Sequence, residues 1–176
     1  DQKLTPRIAE TARGLWAVYF VISLACMLAY RWAGMSWSDA FMHMCTTVSL
    51  GGFSSHDLSF GYWNSPLLES VASVFMLLSG VNFALYFVAW RQRSLACLWR
   101  DIELRAYLGA LIGSIALIVL FLMAHRTYPG FEQTLRHTVF HVVSIATTTG
   151  FASYDYAQWP LFAPLFILPV VGLAGP

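Results

Sequence analysis

Two twelve-residue stretches, TTVSLGGFSSHD ending at Asp57 and SIATTTGFASYD ending at Asp155, carry one pattern written twice in an otherwise apolar chain. A shift of 98 residues places Gly150, Phe151, Ser153 and Asp155 on Gly52, Phe53, Ser55 and Asp57. The same shift places His141 on His43 and Pro164-Leu165 on Pro66-Leu67, with no gap needed between. A repeat decides architecture before any single residue does, and a period near ~100 residues is too long for a solenoid unit. It fits a duplicated membrane module, the kind that builds a pathway where its copies meet.

The medium follows from composition. Of 176 residues, 58% are hydrophobic and 11% charged, against roughly 25% charged in a soluble domain, so the chain is read as an all-α integral membrane protein. A net charge of +1 without a basic run or base-stacking pattern gives no footing for a nucleic-acid partner. Cys26, Cys45 and Cys97 form an odd set without metal-ligand spacing and are read as packing residues. The chain begins at Asp1 without a methionine and ends at Pro176 inside an apolar run, so a piece of a longer protein is expected, with no leader to remove.

In order, residues 1–14 are a polar cytoplasmic lead-in, and 15–90 form a first module. That module has a crossing over 15–33, close to the ~20 residues a bilayer core requires. Ser36 then caps a helix reaching Val48, about 18 Å long at 1.5 Å per residue and too short to cross. It runs into Ser49-Leu50-Gly51-Gly52-Phe53 and a polar return, the pattern of a re-entrant pore loop. Pro66 opens a helix expected to continue over 67–90, with Glu69 in its first turn and Asn82 as polar glue to a neighbouring helix. Residues 91–103 are a cytoplasmic connection. The second module, 104–176, has a crossing to Ala124, a short helix over 131–146, the loop Thr147-Thr148-Thr149-Gly150-Phe151 and a last helix cut short. Pro164 and Pro169 bend that last helix, and Gly172 and Gly175 weaken its end.

With the lead-in and the stretch from Arg91 to Arg105 inside, seven of the ten basic residues are cytoplasmic, as the positive-inside rule favours. Both loops then open outward. Glycine lets successive carbonyls turn to one axis and approach an ion closely, and carbonyl dipoles can replace a cation's water without trapping it. Each short helix also aims its partially negative end at the loop it precedes.

The two loops, each between a crossing and a proline-started helix, together with TPRIAETARGLW and GVNFALYF, resemble the Trk/Ktr/HKT superfamily of potassium transport proteins, and within it the bacterial TrkH-type subunits. The resemblance covers essentially the whole chain. It implies helix, pore-loop, helix modules arranged as in potassium channels, four in the family, of which this chain holds the second and most of the third. By resemblance the K⁺ filter lines are Ser49, Leu50, Gly51, Gly52 and Phe53 in one loop and Thr147, Thr148, Thr149, Gly150 and Phe151 in the other. Gly172 and Gly175 lie where the family's gating loop begins. The resemblance further implies a multi-pass protein of the bacterial inner membrane, K⁺ as transported ion, no covalent cofactor, a homodimer among membrane lipid, and a cytoplasmic nucleotide-binding regulatory ring. Two departures stand: the first and fourth filter segments are missing, and Leu50-Gly51 replaces Thr148-Thr149.

Other readings stay open. His137 and His141 are four apart on one helix face and can bind a metal, although no third ligand is near; His43 and His141 fit better as residues that orient the short helices. Asp57 and Asp155 either concentrate cations at the outer mouth or only tie down the loops. Phe53 and Phe151 are expected as packing wedges. Two rival classes are an intramembrane enzyme using His137, His141 and Ser144 or Ser153, and a noncatalytic membrane scaffold.

Overall fold

The chain enters as a single helix, α1 (Leu4–Trp32), so the polar lead-in and the first crossing are continuous. Pro6 lies in the first turn, where the N–H it lacks would have no intrahelical partner, and it therefore interrupts nothing. This computed structural model describes residues 4–94, 96–125 and 129–153. Asp155, the expected last helix over 160–176, and with it Gly172 and Gly175, lie outside the described residues.

Among the described residues six further helices follow: α2 (Trp37–Val48), α3 (Pro66–Gly80), α4 (Phe83–Gln92), α5 (Ala96–Arg100), α6 (Ile102–Ala124) and α7 (Phe131–Ala146). A 3-10 turn occupies Ser59–Tyr62 between α2 and α3. Among the described residues there is no strand. The boundaries follow local chemistry. Ser36 accepts the Asp39 N–H at 3.1 Å and starts α2; Pro66 sits where its missing N–H costs least and starts α3; Asp101 accepts the Leu104 N–H at 2.8 Å and starts α6.

Two helical stretches, Ala9–Trp32 and Ile102–Ala124, are long and apolar enough to cross a membrane. The helix expected over 67–90 is not continuous: α3 and α4 meet at an angle of 84° and count as a third span only if taken together. Val81 is extended (ψ 143°), and the Asn82 side chain accepts the Ala84 N–H at 2.9 Å, so Asn82 caps α4 and is not the helix-to-helix glue expected of it. The Tyr86 hydroxyl donates to the Leu78 carbonyl at 2.8 Å, satisfying a group that the break releases. Gly80 precedes the break and lies close to the base of the second loop, where a Cβ would meet both Thr147 and Tyr107 at 3.2 Å.

The core lies behind the two loops. Tyr30, Phe60, Met76, Leu122, Phe140 and Phe151 are fully or almost fully buried, joining α1, α3, α6 and α7. Cys26 is packed there as expected, whereas Cys45 is exposed on α2, so the packing reading fails for it; the Cys97 side chain is not among those described. Outside, α1 exposes Trp16 and Phe20 and α6 exposes Ile112 and Leu120, apolar faces of the kind a helix turns to lipid or to a neighbouring helix.

Candidate functional site

Both loops leave their short helices in the same way. After α2, the N–H groups of Gly51 and Gly52 both donate to the Thr46 carbonyl, at 2.8 and 3.2 Å. After α7, the Gly150 N–H donates to the Ser144 carbonyl at 3.2 Å. Leu50 (φ 54°) and Gly52 (φ 66°) are left-handed, and so are their repeat mates Thr148 (φ 60°) and Gly150 (φ 87°). Gly51 and Thr149, between them, are not. Alternating hand turns successive peptide units back on one another, and glycine takes the left-handed places at least cost.

The loops also meet. A Cβ added to Gly52 would land on the carbonyl of Thr149, so two backbones from opposite halves of the repeat touch where only hydrogen fits. Beyond this contact the exits of the loops are joined as well: the Gly61 N–H donates to the Ala152 carbonyl at 3.3 Å, and the Ala152 N–H to Ser59 Oγ at 3.4 Å. Phe60 lies over this seam, 4.8 Å from the Phe151 ring and 5.3 Å from Phe140.

Of the predicted site residues, Gly52, Thr149 and Gly150 are brought to one point, with Ser49 and Gly51 exposed beside the first loop. Thr147 and Thr149 are buried, their hydroxyls 2.7 Å apart, whereas Thr148 is exposed. The two phenylalanines part company. Phe151 is 2% exposed and stacks on His43 as the expected wedge, but Phe53 is 77% exposed and wedges nothing among the described residues. The Phe151 carbonyl accepts the Ser144 hydroxyl at 2.8 Å, which ties the second loop to its own helix.

Two histidines each tie a short helix to a loop serine. His43 bonds Ser54 Oγ at 2.9 Å, and His137 bonds Ser153 Oγ at 3.0 Å. His141 Nδ1 bonds the His137 carbonyl at 2.8 Å. A link missed in the sequence lies on the same 98-residue shift: Asp39 and Ser55 are the mates of His137 and Ser153, and Ser55 donates to Asp39 at 2.8 Å. Helix-to-loop bonding is thus repeated with different chemistry. Hydrogen bonds from Ser36 and Ser55 hold the Asp39 carboxyl below the usual carboxylate range. Asp57 is exposed. Among the described residues, no group of three or more His, Cys, Asp or Glu is placed to hold a metal ion.

Beneath the loops opens a cavity of about 840 Å³. Its roof includes Leu50, Thr147 and Thr148, one wall is the break at Gly80 to Asn82, and Asp101 and Glu103 lie at the start of α6.

The family model described as TrkH, cation transport protein, matches residues 1–171. The chain belongs to the TrkH family. TrkH relatives include the Trk system potassium uptake protein TrkH of Halomonas elongata, 47% identical over 98% of this chain and 36% of that protein. The Escherichia coli K12 protein of the same name is 42% identical over 96% of this chain and 35% of its own length. The crystal structure of the potassium transporter TrkH from Vibrio parahaemolyticus superposes with a TM-score of 0.89 at 38% identity, covering 94% of this chain and 36% of that one. The chain thus spans about a third of the length of these TrkH proteins, and the fold expected from its sequence is the TrkH fold.

Proposed function

We propose that this chain supplies two adjacent pore modules of a K⁺ uptake protein of the bacterial inner membrane, and that dehydrated K⁺ passes between its loops. A bare cation cannot enter hydrocarbon, and rings of backbone carbonyls can take the place of its water. The filter lines are Ser49, Leu50, Gly51, Gly52 and Phe53 and, beside them, Thr147, Thr148, Thr149, Gly150 and Phe151. The observation that carries this reading is the contact of Gly52 with the Thr149 carbonyl, between loops that share the same left-handed places. K⁺ as cargo is supported by the names of the relatives. The cavity below continues the path inward, and Asp101 and Glu103 favour cations there.

Transport is passive in this account, with access controlled below the filter near Gly172 and Gly175, and the protein works as a multi-pass homodimer under a cytoplasmic nucleotide-binding ring. No catalytic step is assigned: of the His43 and His141 pair expected to orient the short helices, His43 bonds a loop serine, a part that His137 takes in the second module. The test is ion flux through the complete protein reconstituted in vesicles, with K⁺, Rb⁺ and Na⁺ compared. K⁺ and Rb⁺ flux well above Na⁺ flux supports the reading; equal flux of all three, or none, overturns it.

A further inference from the structure

Glu69 lies in the first turn of α3 and is 2% exposed. A carboxylate removed from water survives as an anion only where an opposite charge and well-aimed donors meet it. Arg136, 67 residues further along and in the second turn of α7, supplies both. Its Nε donates to Oε2 at 2.7 Å and its Nη2 to Oε1 at 2.6 Å, a bidentate pair. Nη2 also donates to Asn64 Oδ1 at 3.0 Å, and Asn64 is itself held left-handed at φ 44° just before α3.

The pair joins the two halves of the repeat, since α3 follows the first loop and α7 carries the second. Arg136 is eleven positions before Thr147, about 17 Å along the helix axis at ~1.5 Å per residue, so neither partner touches the ion path. The bonds from Ser144 to Phe151 and from His137 to Ser153 fix the second loop to α7, but not α7 to the first module. The contacts of 59–61 with Ala152 hold the loop end, and the Glu69–Arg136 pair holds the outer end. Two separated points set the tilt of a rod.

We propose that Glu69 and Arg136 are positioning residues for ion selection: their bidentate lock sets the tilt of α7, and through it the distance of the 147–150 carbonyls from Gly52. This rests on the reading of the two loops as the ion path. A planar fork on a carboxylate fixes orientation as well as distance, which a lysine in place of the arginine cannot do.

The test uses the complete protein in vesicles, with K⁺ and Na⁺ flux normalised to inserted protein. Glu69→Gln, Arg136→Gln and Arg136→Lys should each lower K⁺/Na⁺ discrimination by about tenfold or more, the equivalent of 1.4 kcal/mol or more, with Na⁺ flux rising or holding as K⁺ flux falls. A role confined to stability would lower both fluxes together, and that outcome overturns the proposal, as does unchanged discrimination in Arg136→Lys. If an unpaired buried charge prevents insertion of the single variants, the double variant Glu69→Leu with Arg136→Met removes both charges. Poor discrimination in the inserted double variant supports the lock, and wild-type discrimination overturns it. A wild-type protein that itself fails to discriminate would overturn the ion-path reading instead, and this proposal with it.

Discussion

Replacing Gly52 with alanine is expected to lower selective K⁺ uptake by the complete transporter on the order of a hundredfold, the scale of an ångström-sized misplacement of a reacting or coordinating group. Two costs coincide at this position. The residue is left-handed at φ 66°, which a side chain resists by about 1–2 kcal/mol. The new methyl group would also occupy the place of the Thr149 carbonyl, and a backbone carbonyl cannot swing aside as a side chain can. The second loop must therefore retreat or rotate that carbonyl away from the shared axis. Gly150→Ala is the comparison: φ is 87°, yet no described residue lies within 4 Å of the added Cβ, so among the described residues only the backbone strain remains. Initial uptake rates in cells without other K⁺ transporters, normalised to inserted protein, should fall much further for Gly52→Ala than for Gly150→Ala. Equal and undiminished uptake by both would remove the argument from backbone approach.

Phe60→Ala is expected to cost about 3–5 kcal/mol, the range for truncating a buried aromatic side chain, and to be the most damaging single truncation of the core. Phe60 is 0% exposed and its ring touches those of Tyr30, His43, Trp63, Phe140 and Phe151. It comes from the 3-10 turn after the first loop, yet Phe140 and Phe151 belong to α7 and the loop that follows it. Its loss opens a void along the seam between the modules, where a wrong loop spacing follows directly from poor packing. The temperature at which the purified transporter loses its monodisperse form should drop by several degrees, whereas Leu58→Ala, two residues away and 70% exposed, should leave it nearly unchanged.

Much of the framework was open to reading in the chain itself. Ser36 and Pro66 announce helix starts through backbone chemistry confined to a few residues, and the helix over 131–146 follows from the repeat. The 84° break at Val81 and Asn82 was signalled only by Ser79, Gly80 and Asn82 inside an otherwise apolar run, residues that serve close helix packing as readily as a bend. Polar partners across long separations were hidden as well. Nothing local to Glu69 or Arg136 names the other. The mates Asp39 and His137 were within reach of the 98-residue shift but differ in side chain, so matching by identity passed over them. Phe53 and Phe151 show the reverse: identical residues at equivalent places whose surroundings differ.

On the proposed reading, main-chain oxygens of the two loops hold an alkali ion stripped of water. Crystals of the complete transporter soaked in Rb⁺ test it most directly, through the anomalous scattering of that ion. If the reading holds, anomalous density lies on an axis lined by both loops, beside the Gly52–Thr149 contact and not within it, within coordination distance of carbonyl oxygens from both loops. Density only in the cavity below, or at the exposed carboxylates, with none between the loops, would contradict it.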